Sequence, residues 1–517
     1  MTTTYRLLAS TALSALVLGA APAMAVTVTM NTVQIFGTID PAKILDYTDY
    51  MASVNLYDAL VTVNAKGEIV PQLAESWTVS DDAKEVTYKI RDDAKFSDGS
   101  AVEASDVVYS VERLLKINQG PATLFAGVLK SGSVVAVDGK TVKFTLEKTF
   151  APFLTTVPAI MIVNADEVKA NEGTDDGQTY LADHVAGAGA YTLTSWDRGA
   201  SMVISRNADY YGGWGENPID EVHWVITNDE ATVKSMAASG ELTMTSSAQA
   251  PDTYTSLGQN ERFVIRTEPT QTVFNLKLNT KAAPTDDIHV RKAIALATDY
   301  DTIRSTIFPG GELNGPLPPA YATAYAEDLA KPVYDLEAAK AELAQSKYAG
   351  QPIKVSLAYV AGLKFEEEVA LLMQANLEQL GITVEVQPEP WNRITELATK
   401  VETSPNIAEI FFSPTYPSPD SMFFTQYHSS AAGTWASLEW LQDAEVDKLI
   451  DDARATGDAA KQSDLYKQLQ HKLVDLQMDA FMLTQNEQHA IDKCLAGYEY
   501  VPMQSFQYDF HNYSWTC

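Results

Sequence analysis

A chain of 517 residues exceeds what one hydrophobic core usually organises, so two or three domains are expected. With 46% apolar and 20% charged residues it has enough surface to bury against the entropy of ordering, which excludes disorder as its main state. The 68 acids against 37 bases leave a net charge of −31, which argues against nucleic acid or anionic lipid as partners because both require a basic face. Two cysteines exclude a disulfide scaffold and a cysteine-rich metal module.

Residues 1–25 read as a Sec-type secretory signal, with Arg6 in a short n-region, an apolar stretch from Leu7 to Ala21 and the ending Ala23-Met24-Ala25. An apolar core helix is the alternative. The stretch is too short and too rich in Ala and Ser for a membrane span, and no later apolar run approaches the ~20 residues a span needs. The expected location is therefore the periplasm. In that oxidising compartment Cys494 and Cys517 can form a disulfide that ties Ser514-Trp515-Thr516-Cys517 back to the body, with two separate thiols as the alternative.

The alternating run Val26 to Met30 predicts a strand. To Lys148 the pattern is strands and hairpins around one clear helix. Val86 to Arg91 and Thr141 to Leu146 alternate, Asp98-Gly99 and Asp138-Gly139 are turn dipeptides, and Ser105-Asp106 opens a helix with Val107, Val108, Val111, Leu114 and Leu115 on one face. Residues 165–182 read as a solvated loop or weak helix. From about residue 280 the texture becomes α/β: helices open at Asp286-Asp287, span Leu336 to Leu343 and Phe365 to Leu380, and Gly381 stops the last before a strand from Ile382 to Gln387. The stretch from Asn314 to Pro319 is a proline-rich loop, and residues 445–454 and 459–477 are two further helices.

No local signature of catalysis is present: no G-x-S-x-G, no H-E-x-x-H, no C-x-x-C. Gly187-Ala-Gly-Ala-Tyr191 lacks the third glycine of a dinucleotide fingerprint and reads better as a turn into a strand from Tyr191 to Trp196. The seven histidines have no ligand spacing, so neither metal nor cofactor is expected. Catalytic groups converging from distant segments, as in an exported hydrolase, remain the alternative class.

Leu56-Tyr-Asp-Ala-Leu-Val61, Ile69 to Trp77, Phe96-Ser-Asp-Gly-Ser100 and Ala104 to Ser110 follow one another in an order and spacing that strongly resembles the solute-binding proteins of the oligopeptide, dipeptide and nickel class of ABC importers. Further matches run from Gly187 to Trp196, Arg206 to Gly212, Val290 to Ile294 and Asp335 to Leu343. The resemblance implies a two-lobed periplasmic binding protein fold with a hinge and an extra subdomain. Lobe one would be 26–270 plus 486–517, with subdomain 66–184, and lobe two 271–485. It also implies a monomeric, non-enzymatic receptor that delivers a peptide or peptide-like solute to ABC permease subunits. A carbohydrate, an opine or a metal chelate are the alternative ligands within the class.

Family members that take peptides carry a Trp and, three residues on, an Asp that pairs with the peptide ammonium. The matching segment here has Phe412 for the Trp and Thr415 for the Asp, followed by Tyr416. A hydroxyl supplies no counter-ion, which places the usual amine clamp in doubt. Glu409 and Asp420 flank the segment and are substitutes, against the reading that both are solvated, as most acids are. Tyr47, Ser246, Ser247 and Trp391 are further cleft positions suggested by the resemblance.

Overall fold

Two long antiparallel strands, Phe263–Leu278 and Asp479–Asp492, run side by side in the computed structural model, which describes residues 25–517 except 34, 35, 45 and 314. Residues 1–24 of the expected signal segment and Asn314 of the proline-rich loop lie outside the described residues. The strand pair is the spine of a six-stranded sheet. Glu312–Leu313 flanks it on one side, and Ile407–Phe412, Ile353–Val360 and Ile382–Glu389 follow on the other. Ile353–Val360 pairs parallel with Ile382–Glu389, and helix Lys364–Glu378 makes the crossover between them. This is the α/β unit expected from the glycine stop at Gly381, where φ is +78°.

Around the other end of the spine a four-stranded sheet runs in the order Thr27–Thr32, Glu221–Ile226, Ser201–Arg206, Tyr191–Asp197. Met244 bridges it to the spine, pairing with both Met30 and Ile491. A separate antiparallel sheet of Ala74–Val79, Glu85–Ile90, Thr141–Thr145 and Val134–Asp138 carries helix Ala104–Ile117. Its apolar residues join one continuous core with the first sheet and with residues from Tyr498 to Tyr513. The cores around Phe274, Leu276, Leu357 and Met482 and around Phe412, Phe423 and Leu469 belong to the other end. The molecule is thus mixed α/β with two lobes.

Residues 165–182, expected as loop or weak helix, contain a short helix, Ala165–Ala170, capped by Asn164. Helix Tyr47–Leu56 was not expected. All its residues from Thr48 to Leu56 are buried, so it presents no polar face and no helical periodicity to read. Gly187 and Gly189 press against its end. A Cβ at either would lie 2.1 Å from the Leu56 carbonyl oxygen or 2.4 Å from that of Asn55, which is why this turn is built of glycine. Asp40, buried in the segment that leads into the helix, receives a bidentate pair from Arg113 at 2.6 and 2.7 Å, anchoring that segment to helix Ala104–Ile117.

Cys494 and Cys517 are joined by a disulfide. Next to it Leu495–Ala496 pairs with Ser514–Trp515, so residues 497–513 form a closed loop pinned at its base. Closing a loop of this size is worth about 3 kcal/mol. Reductant is expected to lower the unfolding midpoint of the parent but not that of C494S/C517S; equal shifts would show that the bridge contributes nothing.

Candidate functional site

A cavity of about 150 Å³ lies where the lobes meet. Tyr47, Ser247, Glu487, Gln504 and Tyr508 line it from the first lobe, and Phe365, Glu366, Trp391, Glu409, Phe411 and Trp435 from the second. The disulfide-closed loop supplies Gln504, Ser505, Gln507 and Tyr508. A larger cavity of about 510 Å³ lies inside the first lobe beside Tyr210 and Tyr211. The hydroxyls of both tyrosines are bonded to buried Asp58, so that pocket offers no unpartnered charge from this cluster.

Asp46 is the N-cap of helix Tyr47–Leu56, where Oδ1 accepts from the Thr48 and Asp49 amides at 3.0 and 3.3 Å. Its other oxygen accepts from the Trp391 indole Nε1 of the opposite lobe at 3.0 Å. Trp391 begins helix Trp391–Leu397 directly after Pro390, and its ring meets Trp435 edge-on at 5.3 Å. Phe411 stacks on Phe274 at 4.2 Å, and Phe365 meets Phe411 edge-on at 5.7 Å, so the second lobe's wall is largely aromatic.

Four carboxylates face this space. Asp46 is engaged as above. Glu487 accepts from the Tyr498 and Tyr508 hydroxyls at 3.0 and 3.3 Å and lies 3.3 Å from His489 Nε2. Burial works to raise the Glu487 carboxyl, but His489 and the hydroxyls of Tyr498 and Ser247 outweigh it and leave it below its ordinary value. Glu366 and Glu409 differ. Each is 1% exposed. Glu366 accepts one bond, from the Val360 amide at 2.6 Å, and neither oxygen of Glu409 has a hydrogen-bond partner among the described residues. Burial pushes Glu366 up to about 8, and burial together with the Glu366 charge pushes Glu409 well above the carboxylate range. Among the described residues the cavity lining contains no lysine or arginine. Lys364, nearest in the chain, is exposed and pairs with Glu367 at 2.9 Å.

Of the positions proposed from sequence, Tyr47, Ser247 and Trp391 line the cavity and four do not. Ser246 is buried in an internal network, accepting from Gln249 at 2.8 Å and donating its amide to Asn31. Phe412 is fully buried in the core behind the sheet, because strand alternation turns Glu409, Phe411 and Ser413 to the cavity and Phe412 away from it. The Thr415 amide donates to the Ser421 hydroxyl at 2.7 Å, and the Tyr416 hydroxyl donates to Asp420 at 2.6 Å. The expectation that Glu409 and Asp420 are solvated fails for both. Asp420 is fully buried between Tyr416 and Arg454, outside the cavity. Glu366 was missed, although it lies on the helix face of Val369 and Met373; an acid on an apolar stripe was the available signal. Glu409 carried the same signal, as the one charge in Ile407-Ala-Glu-Ile-Phe-Phe412.

The sign of the pH effect follows from the proton count. Glu366 releases its proton near its ordinary 4.5 when unfolded and near 8 when folded, so across that window the folded chain holds more protons and stability falls as pH rises. E366Q/E409Q removes this slope. Its melting temperature is expected to gain on the parent progressively between about pH 5 and pH 8; parallel curves would show that the buried pair is not protonated.

A model of the bacterial extracellular solute-binding proteins, family 5, matches residues 68–434. A curated relative from Escherichia coli K12, the probable D,D-dipeptide-binding periplasmic protein DdpA, is 30% identical over 475 residues, covering 90% of each chain. Among solved structures, the periplasmic binding protein DppA of Helicobacter pylori in complex with the peptide STSA superposes with a TM-score of 0.85 at 21% identity, over 95% of this chain and 98% of that one. AgaA of A. tumefaciens R10 in complex with agropinic acid gives 0.82 at 25% identity, over 95% and 98%. A cavity walled by two lobes and a family match over most of the length agree: the chain belongs to the bacterial extracellular solute-binding proteins of family 5.

Proposed function

We propose that the protein is a periplasmic receptor that captures a peptide or peptide-like solute between its lobes and delivers it to the permease of an ABC importer. The observation that carries this reading is the interlobe cavity, whose walls come from both lobes and whose two sides are joined by the Trp391 to Asp46 bond. A ligand that touches both walls stabilises the closed arrangement and so makes capture and signalling one event. We assign lobe one to 26–270 plus 486–517, with subdomain 66–184, and lobe two to 271–485. Supporting this, the spine's register is interrupted between Pro269 and Val273, opposite Asn486 and Thr484. The hinge belongs there, where ladder bonds are missing and bending disrupts least. The D,D-dipeptide named for the curated relative is a first ligand to try.

Purified protein is to be screened by thermal shift against L- and D,D-dipeptides, opines, oligosaccharides and nickel chelates. A true ligand at a hundred times its Kd adds about 2.7 kcal/mol of stability. Saturable stabilisation without turnover is expected, whereas product in excess over protein would establish the hydrolase alternative. Trp391→Phe keeps the ring and deletes the N–H donor. Losing a hydrogen bond to a carboxylate costs about 1.5–3 kcal/mol, so release of bound solute in stopped-flow is expected to accelerate roughly tenfold or more; an unchanged rate would show the bond to be idle.

A further inference from the structure

The charge of the cavity wall narrows the ligand beyond the receptor reading on which this inference rests. Asp46, Glu366, Glu409 and Glu487 line the same space, and no lysine or arginine lines it among the described residues. Two of the four are already engaged: Asp46 by its helix N-terminus and the indole, Glu487 by two tyrosine hydroxyls and His489. Glu409 is the exception, a carboxylate almost wholly buried, lining the cavity, with no partner for either oxygen among the described residues. Desolvation holds such a carboxyl protonated while the cavity is empty, and a cation brought beside it favours the charged form instead.

We propose that Glu409 and Glu366 form the seat for a protonated amine, and that the solute is a small organic cation with no free carboxylate. An ammonium offers three donors. Both oxygens of Glu409 and the Glu366 oxygen not bonded to Val360 can accept them. Phe365, Phe411, Trp391 and Trp435 line the same space, and aromatic faces favour a cation over a neutral or anionic group. At the other wall a ligand carboxylate would meet Asp46 and Glu487 and find no basic side chain in the lining, a like-charge contact that rejects zwitterions. The volume favours a small solute, since a cavity of about this size holds benzene. Peptide amides and short diamines fit both size and charge; free dipeptides fit only the size.

The test is isothermal titration of the folded full-length mature protein with alanylalanine, its C-terminal amide, its N-acetyl derivative, 1,4-diaminobutane and calcium chloride. The amide or the diamine is expected to bind at least tenfold tighter than the free dipeptide, and the N-acetyl compound to be silent. Glu409→Gln replaces a buried carboxyl that is protonated while the cavity is empty and should fold, which its melting curve checks; it is expected to weaken the cationic ligand at least tenfold, with Glu366→Gln acting in the same direction. Equal or tighter binding of the free dipeptide, or indifference to both substitutions, overturns the amine seat while leaving the receptor reading intact. Binding of calcium alone reassigns the pair to a metal and overturns the proposal. Silence in every arm overturns it too, and silence in the broader thermal-shift screen as well removes the receptor reading with it.

Discussion

The ladder between Phe263–Leu278 and Asp479–Asp492 is the constraint on which the architecture depends. Each strand contributes one end to each lobe: Phe263 and Ala490 pack in a core of the first, Phe274 and Met482 in a core of the second. Two neighbouring strands resist shear because every step would break a row of backbone bonds, yet they bend readily where the row is already broken. The interruption between Pro269 and Val273 lies at the level of the cavity, since Thr272 and Gln485 line it. The spine therefore ties the two lobes together, with the break in its ladder beside the site, where the hinge is proposed.

The cavity is built against the usual rule for interiors. Buried carboxylates elsewhere are answered: Asp40 by Arg113, Asp479 by Lys277 at 3.1 Å and by the Tyr427 hydroxyl, Asp420 by Tyr416 and Arg454. Glu409 is not. A fold that answers its other acids with nearby groups and leaves this one without a donor has accepted a local instability, and sites that trade stability for recognition are where such exceptions cluster. The aromatic wall supports the same reading, because rings exclude water and strengthen any interaction of a charge placed beside them. The disulfide acts on the opposite wall, closing the loop that contains Gln504 to Tyr508 and limiting its freedom before a solute arrives.

Much of the second lobe was legible because its helices are amphipathic and its crossovers end in glycine; helix Leu336–Leu343 and the strand after Gly381 lie where their periodicity puts them. Helix Tyr47–Leu56 was not legible, since burial on all sides erases the polar face that a period requires. The site divided in a similar way. Tyr47, Ser247 and Trp391 were reached through resemblance, and Phe412 was carried over from the same motif; in a strand adjacent residues face opposite sides, and only the sheet's packing says that Glu409 and Phe411, not Phe412, face the cavity.

Composition, order of motifs and the texture change near residue 280 determined the class of the molecule: an acidic, two-lobed α/β chain without catalytic signatures. They also determined that Thr415 supplies no counter-ion. Which acids stand beside the cavity instead was decided only by the tertiary structure. Glu366 and Glu409 are far apart in the chain's local patterns, one on a helix and one on a strand, and each alone looks like an ordinary acid. Their pairing acquires meaning only once folding removes water from both and brings no base to meet them, a property of the assembled cavity and of no single segment.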